Sequence, residues 1–442
     1  LVTLLAGEAA ADYATGFRAL HASLVAAGVD LTRLPVVVIA TPAGIAAARG
    51  LADLAGVVVI EAAGGATDAL GLRCLLGRSD ADYDSAAIRG ATLDKLLVWA
   101  LGAFLQGPSL FVDADAVVLP DTFADGVEDL LGLGDTPDLL SRRKLTFAMV
   151  GDPGNTGVFL YKADRAVARD LAELLLRGDY DIDRMNPTDQ DLVRTYWRGP
   201  RDGSLAWRAG GGALDATWNC RPLLHRDALP LDCRVVQWVG NPKPWTLAAW
   251  TARQGGHVGV GGYTADDYAR VHGGVCVACH PLWALDLWRL SSSRHEPIAV
   301  NVVVDGRETD VTLDPGSDLH EQARAWADAR GAVGPPEREL VRGAARAVGA
   351  RLRANVAARA AARARNQTVE LMVDGVVVPV TYTLAESLYV QAENVVLGHP
   401  HLSYDRAASA VKAERGTLGV VDALAQEMRK AAVWELGHTS EA

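Results

Sequence analysis

The sequence predicts an α/β domain with a mostly parallel central sheet over residues 1–292, followed by a C-terminal α+β region over residues 293–442. Three observations lead there. Short, wholly apolar runs such as Pro35-Val36-Val37-Val38-Ile39-Ala40 suit strands buried on both faces of a sheet. Segments with helical spacing alternate with those runs, the pattern of parallel α/β architecture. Past Ser291-Ser292-Ser293-Arg294 the composition shifts to hairpins followed by helices, and the boundary is placed there.

Val2-Thr3-Leu4-Leu5-Ala6 reads as a first strand. Tyr13 to Ala27 is helical, with Phe17, Leu20 and Leu24 on one stripe. Residues 35–40 form the next strand, Ala43 to Leu54 a helix, and Val57-Val58-Val59-Ile60 a further strand. Thr92 to Phe104 reads as a helix leading into the strand Leu110-Phe111-Val112. Beyond the boundary, Val302-Val303-Val304-Asp305-Gly306 recurs as Leu371-Met372-Val373-Asp374-Gly375. That is an internal repeat of about 70 residues, longer than the usual solenoid period. Each Asp-Gly is a hairpin signal, and each hairpin is followed by a helical stretch, Leu319 to Ala329 and Leu384 to Val396. Between them, Glu337 to Arg365 is a long helix rich in Ala and Arg, whose arginines suit a solvated face.

A chain of 442 residues exceeds one typical core and implies two domains or more. Hydrophobic residues make up 50%, enough to bury a large core, which argues against global disorder. Lys+Arg 43 against Asp+Glu 54 leaves a net charge of -11, a poor basis for nucleic-acid binding, which relies on cationic surface. No apolar run reaches the roughly 18 residues of a membrane span. Cys74, Cys220, Cys233, Cys276 and Cys279 are too few and scattered for a disulfide scaffold, so reduced, buried thiols are expected. With no signal or span visible, a cytoplasmic location is favoured. Oligomers are compatible with all of this.

The chemistry centres on Asp113-Ala114-Asp115 at the end of the strand 110–112. Alternate residues of an extended strand share a face, so Asp113 and Asp115 can point the same way across the small Ala114. Carboxylates at an apolar strand end need water, donors or a cation. A pair of hard oxygens suits Mg²⁺ or Mn²⁺, shared with substrate phosphates. In open α/β sheets, ligands bind beyond the carboxyl ends of strands, where this pair lies. Asn155-Thr156-Gly157 precedes another apolar strand and reads as a turn or as a close backbone approach to a ligand. Asp189 in Pro187-Thr188-Asp189-Gln190-Asp191 is either a helix cap or a site acid. Val235-Val236-Gln237-Trp238 runs into a Gly/Pro loop with Gly240 and Lys243, and a lysine there would bind diphosphate as a point charge.

In this order the segments resemble the glycogenin-like (family 8) retaining glycosyltransferases, which have a GT-A type nucleotide-sugar-binding fold. The resemblance runs over residues 1 to 290 and rests on Val2-Thr3-Leu4 with Tyr13, Thr92 to Leu96, Asp113/Asp115, Asn155-Thr156-Gly157, Asp189-Gln190, Trp218-Asn219, Gly240 to Trp245, and the tail from His280-Pro281 to Trp288. It implies transfer of a hexose, glucose or galactose, from a UDP-sugar to a hydroxyl acceptor. Asp113, Asp115 and the residue at Gln237 would be the metal ligands, with Ala114 against the nucleotide. Leu4, Ala6, Gly7 and Tyr13 would line the uracil pocket, Tyr13 stacking on the base. Lys95, Asn155, Thr156 and Asn219 would contact sugar or phosphate. Gly240 and Lys243 would grip the diphosphate. Asp189, Gln190 and Lys95 are the catalytic candidates. Arg78 is a weaker carry-over, because the segment before Lys95 has an insertion and Arg89 competes for the role. Gln190 is a poor nucleophile, which favours front-face attack over a covalent route.

Three departures qualify the resemblance. Gln237 stands where the family has a metal-binding His; an amide oxygen can bind a hard cation but is neutral. This shifts preference toward Mg²⁺ or marks lost activity, so the alternative is a nucleotide-sugar-binding protein with little turnover. Asn186 replaces a common acidic residue. No Tyr lies between Asn219 and Cys233, which disfavours glycogenin's self-glucosylation. Cys276-Val277-Ala278-Cys279-His280 matches the c-type haem pattern, yet coincides with the family's closing element. The sequon Asn366-Gln367-Thr368 is taken as chance.

Overall fold

The computed structural model describes residues 1–7, 9–62, 93–133, 136–150, 155–177, 189–198, 210–225, 228–239, 243–247, 282–293, 295–304, 307–330, 336–373, 376–383, 391–392 and 394–395. In chain order the elements are β1 (Val2–Leu5), α1 (Ala10–Ala26), β2 (Val36–Ala40), α2 (Ile45–Arg49), β3 (Val57–Glu61), α3 (Leu97–Ala100), β4 (Pro108–Val112), β5 (Ala116–Val118), α4 (Pro120–Leu131), α5 (Leu139–Arg143), β6 (Phe147–Val150), β7 (Val158–Lys162), α6 (Arg165–Arg177), α7 (Asp189–Arg198), β8 (Gly211–Leu214), β9 (Val235–Gln237), α8 (Leu282–Ser292), β10 (Ile298–Val304), β11 (Arg307–Leu313), α9 (Leu319–Asp328), α10 (Pro336–Arg363), β12 (Gln367–Val373) and β13 (Val376–Tyr382).

The architecture is mixed α/β. Seven strands form a sheet in the order β3-β2-β1-β4-β7-β6-β8. Every neighbouring pair is parallel except β4–β7 and β6–β7, so β7 alone runs against the rest. This is the mostly parallel sheet expected of a GT-A type domain. β5 and β9 form a separate antiparallel pair, and β10–β11 and β12–β13 are hairpins.

The apolar runs explain the layering. On one sheet face Leu5, Val36, Val38, Leu110, Val112 and Val158 pack with Phe17, Leu20 and Leu24 of α1 and Phe123 and Val127 of α4. On the other, Val2, Leu4, Val37, Ile39, Phe111, Phe159 and Tyr161 pack with Trp99, Leu171 and Trp197. Over the described residues of the helix expected from Thr92 to Phe104, 3₁₀ turns at Asp94–Leu96 and Leu101–Ala103 flank the single α-helical turn α3. Its residues Leu96, Val98 and Trp99 are buried, and Trp99 stacks on Phe159 at 5.3 Å.

The chain divides into two compact units. The first comprises residues 1–221, 230–237 and 291–350, and the second residues 222–229, 238–290 and 351–442. Within the first, α9 docks on the turn after α1: His320 Nε2 meets Gly28 O at 2.9 Å and His320 Nδ1 meets Glu337 at 3.0 Å. Arg342 of α10 pairs with Asp125 at 2.8 Å and Glu128 at 3.0 Å, both on α4. Within the second, Trp283 Nε1 donates to His225 O at 2.8 Å. The carboxylate of Asp286 there is buried and meets Arg359 at 3.4 Å.

The internal repeat has a physical counterpart. β10–β11 closes with Val304 opposite Arg307, and β12–β13 with Val373 opposite Val376. After the first hairpin the Gln322 amide accepts from Asp314 N at 2.8 Å and donates to Asp314 O at 2.9 Å. After the second, Gln391 does the same to Thr383, at 2.7 Å each way. Residues 384–390, at the start of the second expected helix, lie outside the described residues. Among the described residues no helix is long and apolar enough to cross a membrane.

Candidate active site

Asp113 and Asp115 follow β4 at its carboxyl end and meet at Gln237 across a turn at residues 114–115, where the spacing assumes extended strand. Gln237 Nε2 donates to Asp113 Oδ2 at 2.7 Å and reaches Asp115 Oδ1 at 3.4 Å. The Asp113 amide donates to Gly157 O at 2.8 Å, which fixes the turn beside β7. A short ladder brings Gln237 here. Gln237 is paired with Ala116 of β5, the residue after Asp115. On its other side the Gln237 amide donates to Cys220 O at 3.0 Å, and the Cys220 amide donates to Val235 O at 2.8 Å. Asn219 therefore enters the site one residue before that contact.

Gly157 makes room for the arrangement. A Cβ at Gly157 would sit 2.0 Å from the Gln237 amide group. The close approach therefore serves a neighbouring side chain of the same protein. Asn155, 6% exposed, organises the same turn: its Oδ1 accepts from Gly157 N at 2.7 Å and from Asn219 Nδ2 at 3.1 Å.

Lys95 is brought in by the 3₁₀ turn Asp94–Leu96. Its Nζ lies 3.0 Å from Asp113, 3.5 Å from Asp189 Oδ2 and 3.3 Å from Thr156 O, with the ring of Phe111 5.4 Å beneath. Asp189 is the first residue of α7 and only 2% exposed. Its carboxylate accepts the Thr156 hydroxyl in a short hydrogen bond, so it faces the acid pair's neighbours. Gln190 is half-buried next to it.

Charge follows from this crowding. Burial opposes the Lys95 ammonium, but Asp113 and Asp189 outweigh it and hold its pKa above the ordinary lysine value. Burial raises the Asp113 carboxyl to about 7, with Asp115 and Asp189 pushing the same way and Lys95 opposing. Two buried amide oxygens, Gln237 Oε1 and Asn219 Oδ1, have no hydrogen-bond partner. Among the described residues, no group of three or more His, Cys, Asp or Glu could hold a metal ion. The side chains that meet here are the carboxylates of Asp113 and Asp115 and the amide of Gln237.

The remaining expected residues are distributed as follows. Ala114 is buried between the two aspartates. Leu4 is buried at the end of β1, Gly7 has φ 72°, and Tyr13 is half-buried in the first turn of α1, packed against the core. Ala6 is half-buried between them in sequence. Lys243 belongs to the second unit, is buried, and donates from Nζ to Trp238 O at 2.6 Å. Arg78, Arg89, Asn186, Gly240 and the segment Cys276 to His280 lie outside the described residues.

One expectation is corrected. Cys220 and Cys233 are joined in a disulfide, where reduced thiols are expected from the sequence. They meet because residues 217–220 lie alongside β9: the Arg234 amide donates to Thr217 O at 2.8 Å. That contact is set by the return of β9 beside β5, which cysteine spacing does not reveal. Phe111 beneath Lys95 is a second feature missed, because on sequence it is an ordinary core residue.

No protein-family model matches the chain, and no curated protein matches it. Solved structures do match. One is mouse xyloside xylosyltransferase 1 in its apo form, 12% identical, with 55% of this chain and 98% of that chain covered and a TM-score of 0.30. Another is a glycosyltransferase involved in the glycosylation of the major capsid of PBCV-1, 13% identical, with 55% of this chain and 94% of that chain covered and a TM-score of 0.27. Both neighbours are glycosyltransferases; at these TM-scores the likeness carries no argument about what this chain binds.

Proposed function

We propose that the chain is a retaining, metal-dependent glycosyltransferase of glycogenin-like type. It moves a hexose from a UDP-sugar to a hydroxyl acceptor by front-face attack. The observation that carries this reading is the convergence of Asp113 and Asp115 on Gln237 beyond the carboxyl end of β4, with Lys95 and Asp189 alongside.

The donor set fits a hard divalent ion: two carboxylates, and an amide oxygen of Gln237 that is buried and unpartnered. Turning the Gln237 amide over would present that oxygen to a cation held by Asp113 and Asp115. Mn²⁺ or Mg²⁺ bound there supplies positive charge to the departing diphosphate. Lys95 adds a fixed ammonium to the same region. Asp189, held by Thr156 and Lys95, lies with Gln190 on the reactive face of the transferred sugar. Leu4, Ala6, Gly7 and Tyr13 take the uracil, and Asn155, Thr156 and Asn219 contact sugar or phosphate.

The test is UDP release from a panel of UDP-sugars with Mn²⁺, Mg²⁺ or chelator. Metal-dependent release supports the enzyme. Binding of a UDP-sugar without turnover, with hydroxyl acceptors supplied, supports the second reading, a nucleotide-sugar-binding protein. One observation favours that reading: Gln237 turns its nitrogen to the acid pair, and Lys95 already neutralises Asp113.

The proposal includes a domain division at residue 292 and a cytoplasmic location. Limited proteolysis tests the first. The Cys220–Cys233 bridge weighs against the second, because disulfides persist in oxidising compartments.

A further inference from the structure

We infer that the Cys220–Cys233 disulfide is a positioning device for the acid site: it fastens the strip carrying Asn219 onto β9 and so holds Gln237 against Asp113 and Asp115. The geometry lies in one ladder. Cys220 follows Asn219, and its carbonyl receives the Gln237 amide at 3.0 Å. Cys233 lies on the approach to β9, and its carbonyl accepts the Thr122 hydroxyl at 2.5 Å. Besides the bridge, residues 217–220 are held beside β9 by three backbone hydrogen bonds, Arg234 to Thr217, Cys220 to Val235 and Gln237 to Cys220, and by the Arg234 guanidinium, which donates to the Thr217 hydroxyl and lies over the Trp218 ring. The covalent link closes a loop across a separation of 13 residues, which restricts the unfolded and locally opened chain. Asn219 and Gln237 flank the fastened point, and each carries a buried amide oxygen with no partner. The bridge is therefore placed where a small opening would move two polar groups out of the site.

The bridge is buried, Cys220 at 4% and Cys233 at 0% exposure, so it resists reduction until the strip opens. Reduction by a dithiol then breaks the S–S bond. The two electrons and two protons of the dithiol yield two cysteine thiols, and the dithiol leaves as its own disulfide.

The first experiment is alkylation of unreduced protein in denaturant. Cys220 and Cys233 should stay unmodified until a dithiol is added; alkylation of both without reductant would overturn the inference. The second is amide hydrogen exchange on the wild type and on the Cys220→Ala/Cys233→Ala double variant. Exchange at the Gln237 amide should speed up about tenfold or more, with β1 and β2 unchanged. The double variant should also melt about 5–10 °C lower and bind Mn²⁺ several-fold more weakly. Unchanged exchange at Gln237 sinks the inference even if the melting temperature falls, because loss of a merely structural staple would give that. If the double variant does not fold, dithiol-treated wild type replaces it. The Mn²⁺ arm alone rests on the glycosyltransferase reading. A wild type that ignores Mn²⁺ would count against that reading, and the exchange result would still decide this one.

Discussion

The amide nitrogen of Gln237 lies 2.7 Å from the carboxylate of Asp113. A cation at the acid pair would require the opposite orientation, with oxygen forward. Loading the site would therefore give up the amide's two hydrogen bonds to the acid pair for one coordinate bond. Asp115→Ala should remove metal-dependent UDP release outright. Gln237→His should keep or raise activity with Mn²⁺, since imidazole nitrogen suits that ion better than an amide. Steady-state rates with each metal check both. A clear loss in Gln237→His would show that this position does not face the ion.

Gly157→Ala tests the same seat from behind. The added Cβ would lie 2.0 Å from the Gln237 amide, so the side chain must leave or the turn must shift. Overpacking of this kind costs about 1–3 kcal/mol. The expected outcome is a lower melting temperature together with weaker Mn²⁺ binding by calorimetry. Wild-type values for both would remove Gly157 from the account.

Lys95→Met leaves Asp113, Asp115 and Asp189 without their shared ammonium, whose side chain is 12% exposed. Breaking a buried pair by removing one partner costs on the order of 3–5 kcal/mol. The variant should melt well below the wild type and regain more stability from added Mn²⁺ than the wild type does. Equal stabilisation by Mn²⁺ in both proteins would contradict it.

Protons and cations compete for Asp113. Its carboxyl is raised to about 7 by burial and by Asp115 and Asp189, and a coordinating carboxylate must be ionised. Mn²⁺ affinity should therefore climb as pH rises from about 5.5 to 7.5. An affinity flat across that range would contradict the assignment.

His21 gives a separate pH effect on stability. Its Nε2 meets Ala55 O at 2.9 Å, and burial holds its pKa below the ordinary value. The unfolded chain takes up a proton near pH 6.5, about the ordinary histidine value, while the folded chain resists until lower pH. Stability from this group is present above that value and is lost as pH falls through it. Thermal melts between about pH 7.5 and 5.5 should show the loss, and His21→Gln should flatten it.

Much of the sheet is legible in the residues. Val36–Ala40 and Leu110–Val112 are apolar throughout because both faces are covered. Asp113 and Asp115 meet at Gln237 through a turn at residues 114–115, which strand alternation does not predict. β8 escapes, because Gly-Gly-Ala-Leu carries no strand signal and, among the described residues, pairs through the neighbouring β6. The helix over 92–104 breaks into tighter turns because burial around Trp99 overrides its helical spacing. Cys220 and Cys233 could not be paired from spacing, since a tertiary ladder decides their meeting. The placement of Gln237 was legible only as a position in the family pattern. Its contacts with Gly157 and Cys220 come from strands far apart in sequence.

The twin glutamine brackets, Gln322 on Asp314 and Gln391 on Thr383, have a consequence for assembly. Two hairpins of equal strand length and identical turn spacing invite exchange of partners while the chain is still folding. Their cross-strand contacts differ: Asn301 meets Asp310 at 3.1 Å in one, and Thr368 meets Thr381 at 3.0 Å in the other. In a swapped ribbon of the same register Asn301 would face Pro379 and Glu370 would face Asp310, losing one polar pair and setting two carboxylates together, so these pairings help each strand find its own mate.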